Sequence, residues 1–464
     1  MRGRTGVALA AVSLAGCAAP SLPTLPDTTP PRWENVGREA APAPDLRSWW
    51  TAFNDPALDH LVDEALAQNL TLREAALRLD AARALAGAQG SAFRPQLGVH
   101  TFSEPAPDSS ASYFQAGFDA KWELGFFGRA KSHERVASAD LGIAASDEQA
   151  ARVSVVAEVV RRCVELRGSR QMLVQLQEMA VASQRKSELV ATRVRLRLAS
   201  PQALMQARVE QANAETALGE PRLAIERARR QLGVLLARAA PLADSETGTS
   251  PLQIADTGIA TLPADLLRTR PEIRHAESDV LKAAGQLGLA RADLLPRIGL
   301  GGSLTYASKV IGHTRLSDAD GIVTFGPAID IPLFDWGARR AVVTARDAEL
   351  SASLLAYRQA VLEAVAEVET ALATLENLRE RLDALGRATT GLREAAAAAA
   401  TLHRLGLADD LDRATANVEV WQARMETSRV RQERSLAFIA LYKALGGAPL
   451  PDDAIASPPR ESPL

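Results

Sequence analysis

Residues 122–129 read WELGFFGR and residues 331–339 read IPLFDWGAR. Each joins an aromatic residue to a glycine, each follows alternating residues, and each precedes a long stretch without proline. Ahead of the first, Phe114, Ala116, Phe118, Ala120 and Trp122 oppose Gln115, Gly117, Asp119 and Lys121, the period-2 pattern of a strand with one apolar and one wet face. Ahead of the second, Val323, Phe325, Ile329 and Ile331 make a similar face, with Pro327 demanding a bulge or a sheet edge. Ile298, Leu300, Leu304 and Tyr306 alternate against Arg297, Ser303 and Thr305, and residues 97–103 carry the weakest of the four patterns. Strands are therefore expected near 96–103, 114–122, 297–306 and 322–331, with strand-to-helix turns at Phe127, Gly128 and Arg129 and at Trp336, Gly337 and Arg339. Two hairpins packed on a soluble core remain open as a reading of the first strand.

Past each turn the period changes. Leu350, Leu354, Tyr357, Val361, Val365, Val368, Leu372, Leu375 and Leu378 recur at steps of three and four, as do Val155, Val159, Cys163, Leu166, Leu173 and Leu176. The spacing predicts long helices near 130–196 and 337–403, each roughly 100 Å at 1.5 Å per residue, too long for an ordinary compact domain. Small tips break both runs, RLASP at 197–201 and RLGLADD at 404–410, and returning helices follow near 201–237 and 409–445. Upstream of each hairpin an Ala-rich helical segment ends at Pro95 or Pro296. The chain thus reads as a tandem duplication, 48–241 and 265–447, joined by a linker at 242–264 and trailed by a tail at 448–464.

The N-terminus carries an address. MRGRTGVALAAVSLAG has two arginines, a short apolar segment and a small-residue exit, the pattern of an export signal over residues 1–16. LAGC ends like a bacterial lipoprotein signal, which implies cleavage before Cys17 and lipid attachment to it. An ordinary signal peptide with a coincidental cysteine is the plainer alternative. Residues 17–47, rich in proline, alanine and aspartate, suit an extended tether. Beyond Cys17 only Cys163 remains, so the mature chain has no intramolecular disulfide to form. No later run reaches the 18 apolar residues of a membrane helix.

Four amphipathic strands cannot close on themselves, and an open sheet edge in lipid leaves backbone groups unpaired at several kcal/mol each. Single-chain bacterial barrels begin at eight strands, so two or three copies would have to share one barrel. Asp119 and Lys121 would then face the lumen, and the long helices would gather into a tube, a closed bundle without a bore being the other possibility. A net charge of −3 excludes the basic surface that nucleic-acid binding requires. The six histidines are scattered without metal-ligand spacing, and no phosphate loop, GxSxG or GxGxxG occurs. No catalytic residue, metal or cofactor is expected apart from the lipid on Cys17.

The sequence resembles the TolC-like outer membrane factor family, in the NodT-type lipoprotein branch found in tripartite RND efflux systems. The resemblance rests on LAGC, WWTAFNDPALDHLVDEALAQN (49–69), DLLRTRPEIRHAE (265–277), FGPAIDIPLFDWGARR (325–340), the two tips and LYKALGG (441–447). It implies a mainly α fold with a membrane β-barrel, four strands per chain, and a homotrimer whose twelve-stranded barrel continues into a twelve-helix tube. It also implies an outer-membrane address in a Gram-negative bacterium, an inner-membrane RND transporter and a periplasmic adaptor. Carried onto this chain, the adaptor meets Arg197, Leu198, Ala199 and Ser200 in the first tip and Arg404, Leu405, Gly406, Leu407 and Ala408 in the second. A closing acidic ring would draw on Asp412 first, then Asp409, with Asp410 beside them. Helix-start acids with no gating role are the alternative reading. The chain departs from the family pattern at Thr415, where an acid is common, at Asp410, where an aromatic is common, and at His403, where tyrosine is usual. An outer-membrane conduit for type I protein secretion and a non-conducting coiled-coil lipoprotein are the competing functions.

Overall fold

The computed structural model describes residues 25, 33, 45–104, 113–254, 270–309 and 321–450. In chain order the elements are α1 (Pro56–Gln68), α2 (Leu70–Gln89), β1 (Gln96–Glu104), β2 (Tyr113–Glu123), α3 (Arg129–Arg195), α4 (Pro201–Thr216), α5 (Gly219–Leu235), α6 (Pro271–Ala292), β3 (Arg297–Lys309), β4 (Gly321–Asp330), α7 (Ala338–Arg404) and α8 (Asp410–Ala444). Helix accounts for 73% of the described residues, which contain one sheet, so the fold is mainly α. Cys17, residues 1–16, most of the tether, residues 255–264 of the linker and residues 451–464 of the tail lie outside the described residues.

The sheet is an antiparallel meander in the order β1-β2-β3-β4, which leaves β1 and β4 as edges. Its register sorts the side chains by chemistry. Val99 lies opposite Phe118, Phe118 opposite Leu304, and Leu304 opposite Val323, while Gly98, Asp119, Ser303 and Thr324 line up on the other face. Pro327 pairs across to Leu300 from the edge strand β4, where a missing N–H can be tolerated.

The duplication is strictest in the helices. α3 and α7 each contain 67 residues. Their boundaries stay in step, Arg129 with Ala338 and Arg195 with Arg404, so the second number exceeds the first by 209 at both ends. The flanking backbone bonds keep the same offset: the amides of Ser132 and Ala341 donate to the carbonyls of Gly128 and Gly337 at 2.9 and 3.0 Å. One element departs from expectation. In place of a single returning helix over 201–237 there are two, α4 and α5, separated at Ala217–Leu218. Pro221 explains the break, since it cannot donate to the carbonyl of Ala217 and its ring crowds that turn.

Two compact units form. One holds the sheet, built from Arg78–Ser146 and Arg274–Ala360; the other contains Asp147–Ile273, Val361–Leu464 and the segment ending at Leu77. In the second unit the family-like motifs turn out to be a core. Trp49 is fully buried, stacks on Tyr442 at 5.6 Å and donates its indole N–H to the carbonyl of Gly447 at 3.0 Å. A Cβ at Gly447 would lie 2.8 Å from the Trp49 ring, so this close approach requires glycine. Asn54 takes a left-handed φ of 49°, Asp55 caps α1 by accepting from the Leu58 amide at 2.8 Å, and Pro56 starts the helix.

Beneath that cap lies Arg167, fully buried on α3. It grips the Asp55 carboxylate with both terminal nitrogens, one at 2.9 Å, and donates to the carbonyls of Thr247 and Ser250. The Arg167 bond, aided by the Leu58 amide, outweighs burial and holds the Asp55 carboxyl below its ordinary value. Burial pushes the nearby Cys163 thiol up to about 12, which makes it an inert packing group. Arg167→Ala strands a carboxylate and two carbonyls, and we expect it to lower unfolding stability by about 3–5 kcal/mol in thermal melts of the detergent-solubilised protein. Because the Asp55 pKa is depressed in the folded state, the pair's contribution is present above the ordinary carboxylate range and is lost as pH falls through the folded value. Wild type should therefore lose its margin over Arg167→Ala in acid.

Candidate functional site

Three places carry the chemistry that the sequence singles out: the polar face of the sheet, the strand-to-helix turns and the helix tips. The apolar face of the sheet is uncovered in the chain. Phe325 is 82% exposed, and Leu97, Val99, Val323 and Ile329 are also exposed. An apolar face of this kind with backbone groups paired inside the sheet suits contact with lipid. On the opposite face His100 Nδ1 lies 2.9 Å from Asp119 Oδ2, an ion-pair separation outside hydrogen-bond geometry. Ser303 and Thr324 share a hydroxyl hydrogen bond of 2.7 Å. Asp119, Lys121, Glu123, Arg297 and Asp330 line an open hollow over this face. Both signs of charge alternate along it, so it offers water and ions partners without forming a tight site.

At the turns the backbone does what the repeated motif requires. Phe127 and Gly128 adopt φ of 56° and 77°, and Trp336 and Gly337 adopt 58° and 85°. Two left-handed residues in succession turn the chain from strand into helix, a conformation that costs more at the aromatic position than at the glycine. In the second turn Asp335 accepts from the amides of Gly337 and Arg339 at 3.1 and 2.9 Å, and those bonds, that of Arg339 first, hold its carboxyl below the usual range. The arginines are not equivalents. Arg129 matches Ala338 by position and reaches Glu123 at 2.7 Å and Asp293, whereas Arg339 bends back to Asp335. Trp336 is 90% exposed and meets Phe334 edge-on at 4.7 Å.

The tips share one backbone. Leu198 N–H donates to the carbonyl of Arg193 at 2.8 Å, and Leu407 N–H to that of Leu402 at 2.9 Å. Arg197 and Gly406 donate to the carbonyls of Val194 and His403, both at 3.0 Å, completing the same helix-ending motif. Gly406 adopts its φ of 72° freely, while Arg197 at 60° takes the same conformation with a side chain attached. The matched segments are therefore TRVRLRLA (192–199) and TLHRLGLA (401–408), which pairs Arg404 with Arg195 rather than with Arg197. Each tip exposes two leucines, Leu196 and Leu198 in the first and Leu405 and Leu407 in the second. Ala199 and Ala408 follow them, then Ser200 and Asp409 as helix caps. Arg195 and Leu196 belong to the first tip although the motif RLASP omits them; the shared Thr-x-x-Arg-Leu-x-Leu-Ala pattern is the signal that finds them.

The three acids meet at the start of α8. Asp409 caps the helix, accepting from the amides of Leu411 and Asp412 at 2.9 and 3.0 Å, and the Asp412 carboxylate accepts from the Asp409 amide at 3.2 Å. This is a reciprocal capping box. Asp409 also forms an ion pair with Arg193, which links the second tip to the end of α3. Asp410 lies 2.7 Å from Arg413 and 3.2 Å from His403. Asp412 is the most exposed of the three. Arg193 has no place among the sequence candidates; its role depends on two hairpins packing side by side. Among the described residues no cluster of three metal-binding side chains occurs, and no helix is long and apolar enough to cross a membrane.

Comparison with known proteins places this geometry. The profile of the outer membrane efflux protein family matches residues 61–238 and 262–447. The pyoverdine export outer membrane protein OpmQ of Pseudomonas putida is 26% identical, covering 94% of this chain and 95% of its own length. The cation efflux system protein CusC of Escherichia coli is 28% identical over 86% of this chain and 88% of its own. Among solved structures, the outer-membrane channel OprN is 28% identical and superimposes with a TM-score of 0.83, covering 94% of this chain and all of its own (100%). The open state of the Neisseria gonorrhoeae MtrE channel shares the fold at 24% identity and a TM-score of 0.79, over 93% of this chain and 98% of its own. With both halves of the duplication matched, the chain belongs to the outer membrane efflux protein family and is an outer-membrane channel component of efflux systems, not an enzyme.

Proposed function

We propose that three copies of this chain close one barrel and one helical tube, and that the tube passively conducts what an inner-membrane RND transporter delivers through a periplasmic adaptor. The observation that carries this reading is the sheet with two unpaired edges, β1 and β4, in a protein of the outer membrane. Hydrocarbon offers those edges no partners, so strands from other copies must supply them. Asp119, Lys121 and His100 line the lumen of that barrel, and the exposed leucines of both tips, with Arg195, Arg197 and Arg404 beside them, receive the adaptor. Lipid on Cys17 anchors the N-terminus in the same membrane.

Passive conduction also agrees with the range of cargo among relatives. Their names describe export of pyoverdine, cation efflux and toluene efflux. A wall that binds none of these tightly can serve all three chemistries, and the hollow over the polar face of the sheet is open. Energy and selection then belong to the partner pump.

The periplasmic end is held shut by the Arg193–Asp409 pair, which ties one hairpin to the other, with Asp412 as the acid facing the aperture. Like charges repeated around that aperture repel, so the closed state depends on such ties. The test is planar-bilayer conductance of the reconstituted protein. Arg193→Ala should raise basal leakage several-fold, and Asp412→Asn should reduce cation selectivity. Asp409→Asn separates the roles, since asparagine still caps a helix but no longer pairs with Arg193. It should leak while melting near wild type. Conductance unchanged in all three rules out this gate. Assembly is tested separately: a lipid-modified protein that runs as a monomer on native gels, and never conducts, favours the structural lipoprotein instead. Co-purification with an ABC exporter favours type I secretion.

A further inference from the structure

The register inside one chain predicts the register between chains. The two hairpins are repeats, counted from Gln96 and Arg297, which start β1 and β3, and from Gly128 and Gly337 in the turns after β2 and β4. On that count Asp330 matches Lys121 and Arg297 matches Gln96. The pairing obeys it. Lys121 lies opposite Gln96 and Asp330 opposite Arg297, just as Phe118 lies opposite Val99 and Pro327 opposite Leu300. One hairpin reproduces the other residue for residue, although β1 and β3 differ in length.

A different seam joins the hairpins, from β2 to β3, where Lys121 faces Gly301 and Ala120 faces Gly302. The two edges left over are β4 and β1, the matches of β2 and β3. If one copy's β4 takes the next copy's β1 as β2 takes β3, the same step repeats around the barrel. A slip of one residue is forbidden, because it would turn every lipid-facing side chain inward. Translated to the edges, the internal seam sets Asp330 opposite the partner's His100 and Ile329 opposite the partner's Thr101.

Side-chain chemistry favours that register. Within its own chain Asp330 faces Arg297, but Arg297 turns to Asp293 at 2.8 Å, and Asp330 makes no ion pair among the described residues. His100 stands 2.9 Å from Asp119 on one side. It lies across from Gly117, where a Cβ would come within 3.1 Å of the imidazole, so the glycine leaves the ring its room. At the internal seam the two equivalent positions are Lys121 and Gly301, which cannot pair. Complementary groups directly across an antiparallel pair stabilise it, and an imidazole with a proton on each nitrogen can donate to two carboxylates at once.

We infer that copies join in the register of the internal β2–β3 seam, and that Asp330 of one copy meets the partner's His100 there, completing a carboxylate–imidazole–carboxylate group with the partner's Asp119 on the polar face. The inference rests on the three-copy reading given above, and its test separates the two.

Thiol cross-linking of the full-length protein in outer membranes is the first measurement. Positions directly opposite stand about 5 Å apart, and positions two residues off about 7–8 Å. With a short bifunctional reagent, Ile329→Cys/Thr101→Cys should give covalent dimers and trimers on denaturing gels. Ile329→Cys/Val99→Cys and Ile329→Cys/Ser103→Cys should give several-fold less. Stronger linking by either slipped pair overturns the register, as does no linking by any pair in a protein that still runs as a trimer on native gels. A monomer on native gels sinks the three-copy reading itself. Heat dissociation of the trimer is the second measurement. Asp330→Asn and His100→Gln should each lower the dissociation temperature by several degrees, and the double variant should fall no further than either single one. Lys121→Gln, at the matching place on the internal seam, should leave it unchanged. Additive losses, or no loss from either variant, overturn the pair.

Discussion

The free edges of β1 and β4 carry backbone N–H and C=O groups that no other described strand pairs, and hydrocarbon offers them nothing. That constraint reaches the rest of the molecule. It makes the protomer an incomplete object in its own membrane. It also places the strand-to-helix conversion at the end of the sheet, where the left-handed pairs Phe127–Gly128 and Trp336–Gly337 exchange ladder hydrogen bonds for helical ones within a few residues. A chain of four strands could have hidden its edges under helices. Here both hairpins have an uncovered apolar face instead, which is a soluble protein's liability and a membrane wall's requirement.

Several of the stretches that make the family recognisable lie in a packed core rather than in the sheet or the tips. Asn54-Asp55-Pro56, the two tryptophans before them, and Tyr442 with Gly447 assemble a core in the unit that also contains Arg167. Arg270, from the motif around RPEIRHAE, pairs there with Glu367 at 2.7 Å. These contacts specify geometry and carry no cargo chemistry.

Much of the fold was legible in the sequence because both periods repeat twice. Alternation gave the strands away wherever small or polar residues faced Phe118, Leu304 or Val323. β1 was faint because Gly98 and His100 interrupt it with residues of no strong preference. The interruption between α4 and α5 was signalled by Pro221 and hidden by the helix formers around it. At the first tip the run Arg-Leu-Arg-Leu allows two alignments with the second, and the backbone bond from Leu198 to Arg193 decides between them. Contacts such as Arg167 with Asp55, 112 residues apart, or Arg193 with Asp409, leave no periodic trace at all. They arise from packing, and only coordinates reveal them.

Duplication also explains how the tips came to differ. The first tip holds Arg197 in the left-handed conformation, a position where glycine would be easier, and surrounds it with Arg193 and Arg195. The second has Gly406 at the equivalent point and places Asp409, Asp410 and Asp412 just beyond it. The closing turn bonds of the two tips match, and the side chains around them differ in charge. Arg193, Arg195 and Arg197 gather at the first tip and Asp409, Asp410 and Asp412 at the second, and the pair Arg193 with Asp409 joins them. Two tips of the same charge would repel each other, whereas opposite signs let Arg193 and Asp409 pair across them.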